Sequence, residues 1–320
     1  MTRRTIIGGA LAAGAAAAQA QQRKQPAEWK PKLGVLGPYT PANVAFAQKE
    51  GFNNMILGVG RGTLDPETAT DQQIQAAKSV LAQHSMNVSA FQVTQNHITA
   101  DPARRKQEND HFVKAIELAG KMGVPFIGTC SGKDPEKKFG QQVDDIVRTY
   151  TERYFPACEK NKVRILWEPW PGGPNIATSP AGFEALFKGF GNSPYVGLQY
   201  DPSHLVWQFM DPIQTARDFI DKIFDVHLKD TEIRWDVLRH GGTTPVDGAH
   251  WWSYRLPGLG SIKWNEFFTV LQRAGYQGAM SIEHEDDLYG NPSRPGPDFS
   301  PDYQVGFKMA YRYLKQYVPV

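Results

Sequence analysis

From Lys32 onward, short apolar runs alternate with longer segments in which apolar residues recur at three- and four-residue intervals. Phe112, Ala115 and Ala119 show the longer, helical interval. This alternation is typical of βα units that build a parallel sheet. The runs predicted as strands are Lys32–Gly37, Asn54–Gly60, Asn87–Thr94, Val124–Cys130, Val163–Glu168, Val196–Asp201, Ile223–Leu228 and Ala279–Glu283.

Eight strands that alternate with helices predict a single-domain α/β fold, a (β/α)₈ TIM barrel over residues 21–320. An open, doubly wound sheet is the alternative, because closure of the strands cannot be read from one sequence. No Gly-x-Gly-x-x-Gly follows the first strand, which argues against dinucleotide binding.

The connection over residues 229–263 is too long for a simple turn and has no convincing apolar period. It contains Trp235, Trp251, Trp252 and Tyr254, and this aromatic content argues against disorder. Long loops in compact domains are often functional, so we expect this one to lie over the mouth of the barrel. The alternative is that its aromatic rings pack on neighbouring loops or on a second subunit of a homo-oligomer.

The first twenty residues have the pattern of a signal peptide. Arg3 and Arg4 precede an apolar stretch over residues 6–18, and Ala18-Gln19-Ala20 offers a small-x-small cleavage site. The paired arginines predict twin-arginine export to the periplasm, with a general secretory signal as the alternative. The apolar stretch is too short to span a membrane, and we expect a mature chain without a membrane span that begins near Gln21.

Composition removes several classes of protein from consideration. With 41% hydrophobic and 21% charged residues, the 320-residue chain can bury a large core. The formal charge of +2 comes from well-mixed acidic and basic residues, so nucleic acid is not an expected partner. Cys130 and Cys158 are too few for a disulfide framework and are predicted to be buried thiols.

Four of the last five predicted strands have an acidic residue or a histidine at or next to their carboxyl end. These residues are Glu168, Asp201, His227 and Glu283. Taken singly, each has an alternative explanation as a helix cap or a packing residue. The carboxyl ends of barrel strands meet at one face, however, and three carboxylates gathered there would repel one another without a cation. The sequence therefore predicts one divalent metal ion, Mn²⁺ by preference, with Mg²⁺, Co²⁺ or Zn²⁺ as alternatives.

The motifs around these residues are more specific than the residues alone. They are Trp167-Glu168-Pro169, Asp201-Pro202-Ser203-His204, His227-Leu228-Lys229-Asp230 and Ser281-Ile282-Glu283-His284-Glu285-Asp286. Through them the mature chain resembles the sugar phosphate isomerase/epimerase family, which has the xylose isomerase-like TIM barrel. The resemblance implies that the four residues hold one divalent metal and that Glu168 and Glu283 also act as acid and base. It further implies that His204 points to a substrate oxygen.

Three other residues are predicted to bind substrate. Lys229 lies two positions after His227 and so shares its side of the strand, which leaves a substrate oxygen or a carboxylate as its partner. Trp252 could support a sugar ring on its indole face, and His97 follows the third strand. Along the last strand, alternation should turn His284 away from Glu283, while Glu285 either reaches the site or faces water.

These observations support three functional hypotheses. The first is a metal-dependent sugar isomerase or epimerase that removes a proton next to a carbonyl and forms an enediolate. The second is a lyase or hydratase that cleaves 3-keto-glycosides by elimination and depends on a separate oxidoreductase for the ketone. The third is a sugar-binding barrel without catalysis. Under each, the partner is a small sugar, keto-sugar or glycoside.

Overall fold

The computed structural model describes residues 29–60, 64–290 and 296–318, so the predicted signal peptide lies outside the described residues. Its main sheet is a closed parallel barrel with the strand order β1-β10-β7-β6-β5-β4-β3-β2, which confirms the TIM-barrel prediction over the open sheet. The barrel strands are β1 Lys32–Pro38, β2 Asn54–Gly58, β3 Asn87–Gln92, β4 Phe126–Thr129, β5 Arg164–Trp167, β6 Val196–Tyr200, β7 Ile223–Leu228 and β10 Ala279–Ile282. Each lies within a few residues of its predicted bounds.

Helices connect the strands and surround the barrel. They are α1 Pro41–Lys49, α2 Asp71–Gln83, α3 Pro102–Met122, α4 Phe139–Thr149, α5 Phe155–Asn161, α6 Pro180–Gly189, α7 Ser203–Val206, α8 Pro212–Asp218, α9 Trp235–Gly241, α10 Trp264–Ala274 and α11 Pro301–Leu314. A π-helical turn, Tyr150–Tyr154, joins α4 to α5. Among the described residues, none of these helices is both long and apolar enough to cross a bilayer.

Local sequence explains where the longest helix, α3, begins and ends. The side chain of Asp101 accepts hydrogen bonds from the backbone N–H groups of Ala103 and Arg104, and Pro102 occupies the first helical position. At the other end, Gly123 adopts a φ of 77°, a left-handed conformation that glycine takes without strain. The helix predicted from the Phe112, Ala115 and Ala119 interval is therefore confirmed, and the local sequence accounts for both of its ends.

The core fills the space between the barrel and the surrounding helices. Strand β6 is buried along its whole length, as expected for a parallel strand covered on both faces. Trp167 and Trp264 are among the largest fully buried side chains, and both cysteines are free and buried, as predicted. This packing fixes the carboxyl ends of the strands, where the candidate site lies.

The long connection after β7 is more regular than the sequence predicted. It contains β8, Asp230–Ile233, and β9, Trp252–Arg255, which pair antiparallel as a hairpin, with α9 between them. The buried carboxylate of Asp230 organises the base of this hairpin. It accepts hydrogen bonds from the backbone N–H groups of Gly258 and Ile262 and from the Trp264 indole at 2.8 to 3.0 Å. These partners lie 28 to 34 residues away, so no local apolar period could reveal the hairpin.

Candidate metal centre

The four predicted metal ligands come together at the carboxyl end of the barrel. Glu168 follows β5, Asp201 follows β6, His227 lies in β7 and Glu283 follows β10, and these four strands are consecutive neighbours in the barrel. One possible ligand atom from each residue lies within 4.8 Å of all the others. Residues that are more than 100 positions apart in the sequence thus converge on one small volume.

His227 lies at the centre of this cluster. Its Nδ1 is 3.1 Å from Glu283 Oε2, 3.3 Å from Glu168 Oε1 and 3.9 Å from Asp201 Oδ2. The side chains of His227 and Asp201 are fully buried, and that of Glu283 is the most exposed of the four at 14%. A small opening beside Glu283 therefore gives solvent or a substrate access to the cluster.

The donor set fits a divalent cation. Three carboxylates and one imidazole nitrogen are ligands that Mn²⁺ and related ions accept. Asp201 Oδ2 is buried and accepts no well-directed hydrogen bond within the described chain, although the Lys229 ammonium lies 3.1 Å from it and His204 Nε2 lies 3.3 Å from it. A cation bound by Glu168, Asp201, His227 and Glu283 would give that oxygen a direct ligand bond.

The surroundings of Glu168 and Glu283 shift the pKa values of the two carboxyl groups in opposite directions. Burial would raise the pKa of Glu168, but the charge of His227 and the hydrogen bond from His204 outweigh it and hold the pKa well below its usual value. Burial and the charge of Glu168 raise the pKa of Glu283. Burial would lower the pKa of His227, but the charges of Glu283 and Glu168 raise it well above its usual value.

Two side chains hold the carboxylate of Glu168. Gln92 Nε2 donates a hydrogen bond to Glu168 Oε2 at 2.7 Å, and His204 Nε2 lies 3.2 Å from Glu168 Oε1. His204 was predicted for this site, whereas Gln92 was not. Gln92 lies near the end of the third predicted strand, where barrel side chains reach the active face, and this position is the sequence signal that points to it.

The hairpin reaches the metal centre through Tyr254 in β9. The Tyr254 hydroxyl lies 2.9 Å from His204 Nδ1, and the two rings meet edge to face at 5.4 Å. When Tyr254 donates to Nδ1, the opposite ring nitrogen of His204 carries its hydrogen toward Glu168. The long connection thus contacts the predicted site, and Tyr254 joins Gln92 as a site residue that no sequence motif indicated.

Trp252, a predicted substrate contact, belongs to the same aromatic group. Its ring stacks on Trp207 at 4.6 Å with an interplanar angle of 1° and meets Tyr254 edge to face at 4.8 Å. Both indoles are partly exposed. The structure places Trp252 next to the site through Tyr254, and its contact with a substrate stays a prediction.

Lys229 is buried inside the cluster of charges. Its ammonium lies 2.6 Å from Glu283 Oε2, 2.7 Å from Glu285 Oε2 and 3.1 Å from Asp201 Oδ2. It also lies 4.4 Å from the centre of the Tyr254 ring. Of the two partners that the sequence left open for Lys229, the described structure shows carboxylates, and it brings Glu285 to the site as well.

A cavity of about 590 Å³ opens beside Glu283 and Glu285. Its walls come from the end of β1, the segment after β10 and the start of α11. They include the apolar side chains of Leu36, Leu288 and Phe299 and the carboxylates of Asp287, Asp298 and Asp302. Among the described residues that line it there is no lysine or arginine. The cavity is therefore large enough for a small organic molecule.

His97 and His284 lie outside the centre. His97 is fully buried, with Nδ1 2.9 Å from the Tyr154 hydroxyl and Nε2 3.1 Å from Thr129 Oγ1. Both ring nitrogens are thus occupied by the protein, and the predicted substrate contact of His97 is not supported. His284 stacks on Tyr303 at 4.0 Å and turns away from the ligands, as strand alternation indicated.

His97 should contribute to acid unfolding. Burial lowers the pKa of His97 to about 3, so below pH 6.5 the unfolded chain binds a proton that the folded chain does not. Stability from this residue is therefore complete above about pH 6.5 and falls by about 1.4 kcal/mol per pH unit toward pH 3. Urea unfolding between pH 7 and 4 should show a shallower decline in His97→Gln than in wild type.

The control for this experiment is His84→Gln, which removes a partly exposed histidine after α2. Equal pH slopes for wild type and His97→Gln would contradict the assignment of His97 as a neutral packing residue.

Curated proteins resemble this chain either over most of its length or over about a third of it. It is 28% identical over 279 residues to the uncharacterized protein YfiH of Bacillus subtilis strain 168, which covers 75% of this chain and 87% of that protein. It is 34% identical over 105 residues to an inosose dehydratase of Clostridium tetani. That match spans 32% of this chain and about a third, 33%, of the dehydratase.

Solved structures share the fold at low sequence identity. An L-ribulose 3-epimerase aligns with a TM-score of 0.67 and 16% identity, covering 90% of this chain and 94% of the epimerase. The 3-keto-D-glucoside 4-epimerase YcjR of Escherichia coli aligns with a TM-score of 0.61 and 15% identity, covering 88% and 100% of the two chains. A family model described as xylose isomerase-like TIM barrel matches residues 44–303. The closed barrel and this match together show that the chain belongs to the xylose isomerase-like TIM barrel family.

Proposed function

We propose that this protein is a metal-dependent sugar isomerase or epimerase that removes a proton from a carbon next to a carbonyl group. One observation carries the proposal: Glu168 and Glu283, three strands apart in the barrel, bring carboxylate oxygens within 3.3 Å and 3.1 Å of the same His227 nitrogen. Two carboxylates on either side of a bound sugar are what proton removal and return require.

Four residues would hold the cation, namely Glu168, Asp201, His227 and Glu283. When bound, a divalent ion such as Mn²⁺ would stabilise the negative charge that develops on the carbonyl oxygen as the proton leaves. Gln92 and His204 fix the orientation of Glu168 through their two hydrogen bonds. Side chains held in this way keep their geometry during the reaction, which favours catalysis.

The roles of the glutamates follow from their positions at opposite edges of the cluster. One carboxylate removes the proton from one face of the sugar carbon, and the other returns a proton to the opposite face, so the centre is inverted. If the proton returns to the neighbouring carbon instead, the product is an isomer with a moved carbonyl. His204 and Lys229 are proposed to contact substrate oxygens, and Trp252 to support a sugar ring.

The experiment that tests this proposal is hydrogen exchange in D₂O followed by NMR. The protein is loaded with Mn²⁺ and incubated with free ketoses and with 3-keto-glucosides. We expect deuterium to enter one carbon next to the carbonyl and an epimer or isomer to accumulate. No exchange in any of these substrates would contradict the proposed proton transfer.

The cavity beside Glu283 favours a second candidate, a lyase or hydratase acting on 3-keto-glycosides. At about 590 Å³ it exceeds what one sugar ring needs, and its carboxylates disfavour phosphorylated sugars. The partial match to an inosose dehydratase agrees with elimination after the same proton removal. Such a substrate would require a separate oxidoreductase to make the ketone, and release of the aglycone in the D₂O experiment would identify this reaction.

A further inference from the structure

Lys229 uses oxygen atoms that the proposed metal would also use. Its ammonium is 2.6 Å from Glu283 Oε2 and 3.1 Å from Asp201 Oδ2, and both residues belong to the four-ligand cluster. Only 1% of the Lys229 side chain is exposed, so water screens these contacts very little. A buried ammonium in this position contributes a fixed positive charge to the ligand set.

A divalent ion and this ammonium compete for the same carboxylate oxygens. Two positive charges held within a few ångströms in a buried site repel strongly. Buried carboxylates left without any cation are also unfavourable, because each has lost its hydration. Either the divalent ion or the Lys229 ammonium can therefore neutralise Asp201 and Glu283, and the binding of one weakens the binding of the other.

Glu285 offers the ammonium a second partner outside the ligand set. Its Oε2 lies 2.7 Å from Lys229 Nζ, and its side chain is 38% exposed. A small rotation of the lysine side chain would keep this contact while releasing Asp201 and Glu283. Tyr254 borders the same space, with its ring 4.4 Å from the ammonium.

We infer that Lys229 is an internal counter-ion that competes with the divalent metal for Asp201 and Glu283 and moves onto Glu285 when the metal binds. This inference rests on the metal site in the proposed function. It gives Lys229 a role in setting metal affinity, in addition to any contact with a substrate.

The test replaces Lys229 by methionine, which has a similar length and no charge, and measures Mn²⁺ binding by calorimetry without substrate. We expect the dissociation constant to fall by about tenfold or more, because the competing charge is gone. The melting temperature in EDTA should fall, and the rise in melting temperature on adding Mn²⁺ should be larger than in wild type. An unchanged or weaker Mn²⁺ affinity would overturn the inference.

The matched control is Lys137→Met. The Lys137 ammonium also bridges two carboxylates, at 2.5 Å from Asp145 and 3.4 Å from Asp134, but these belong to the segment around α4. Its removal should leave the Mn²⁺ affinity unchanged.

If Lys229→Met does not fold, Lys229→Arg keeps the charge and should bind Mn²⁺ within a few-fold of wild type. In crystals of wild type with Mn²⁺, the Lys229 ammonium should contact Glu285 alone. In crystals without Mn²⁺ it should also contact Asp201 and Glu283.

A double-mutant cycle tests the movement onto Glu285. Glu285→Gln should weaken Mn²⁺ binding, partly because a nearby negative charge is lost and partly because Lys229 loses its second partner. The second effect disappears in the Lys229→Met background, so the loss of affinity should be smaller there. An equal loss in both backgrounds would overturn this part of the inference.

These measurements separate the inference from the proposed function. If the wild-type protein binds no divalent metal, the proposed metal site itself is wrong. If wild type binds Mn²⁺ and Lys229→Met binds it no more tightly, only the counter-ion role fails. Tighter binding by Lys229→Met in a protein without sugar isomerase or lyase activity would support the inference and contradict the proposed reaction.

Discussion

Glu283→Gln is expected to reduce kcat by about 10³-fold while the protein stays folded, because the amide cannot take or return a proton. The substitution keeps the size of the side chain. The Glu283 side chain is 14% exposed beside the opening of the cluster, so the neutral amide can be accommodated there. Initial rates of deuterium entry in D₂O, measured together with the Mn²⁺ content, report the loss directly.

The control for this variant is Glu266→Gln in α10, which pairs with Lys263 on the surface and is not one of the four candidate ligands. It should retain wild-type exchange. If Glu283→Gln and wild type show the same background rate, the barrel binds sugars without catalysis, which is the third hypothesis from the sequence. A variant that loses its metal as well as its activity would show that Glu283 acts mainly as a ligand.

Asp201→Asn should weaken Mn²⁺ binding by more than the roughly 10–100-fold that losing the hydrogen-bond partner of a ligand costs. In wild type, Asp201 Oδ1 accepts a hydrogen bond from the backbone N–H of Ser203 at 2.8 Å. Asparagine can keep that bond, but it then turns an NH₂ group toward the metal and toward Lys229. The loss of one ligand charge and this repulsion act together, and metal titration by calorimetry measures their sum.

Asp211→Asn is a suitable comparison because Asp211 also caps a turn, accepting from the N–H groups of Ile213 and Gln214 at the start of α8. Its Mn²⁺ affinity should equal that of wild type. An Asp201→Asn protein that binds Mn²⁺ with unchanged affinity would exclude Asp201 as a ligand.

The barrel and its four candidate ligands were predictable because each depends on a local pattern. Every strand is a short apolar run, and every candidate ligand is an acidic residue or histidine at the end of such a run. The topology then brings strand ends together without any information about side-chain contacts. This is why Glu168 and Glu283 could be paired although 115 residues separate them.

The rest of the site depends on contacts between distant segments. Gln92, Tyr254 and Glu285 enter it through partners 76, 50 and 56 positions away. The partners of His97 also depend on distant segments, because the chain beyond β3 carries its ring to Tyr154 and Thr129. The direction of a side chain after a strand ends is set by packing, which one sequence does not display.

The β8–β9 hairpin is anchored to the barrel at its base, or root, and the segment that joins its two strands forms its tip. This has a consequence for engineering. Asp230 fixes the root to the barrel, and Arg255 joins the strand β9 to Asp286 beyond β10 at 2.9 Å. The segment between β8 and β9 carries none of the four ligands. Substitutions in the segment between β8 and β9 should therefore leave the four candidate ligands and their scaffold unchanged, which makes this segment a natural place for library design.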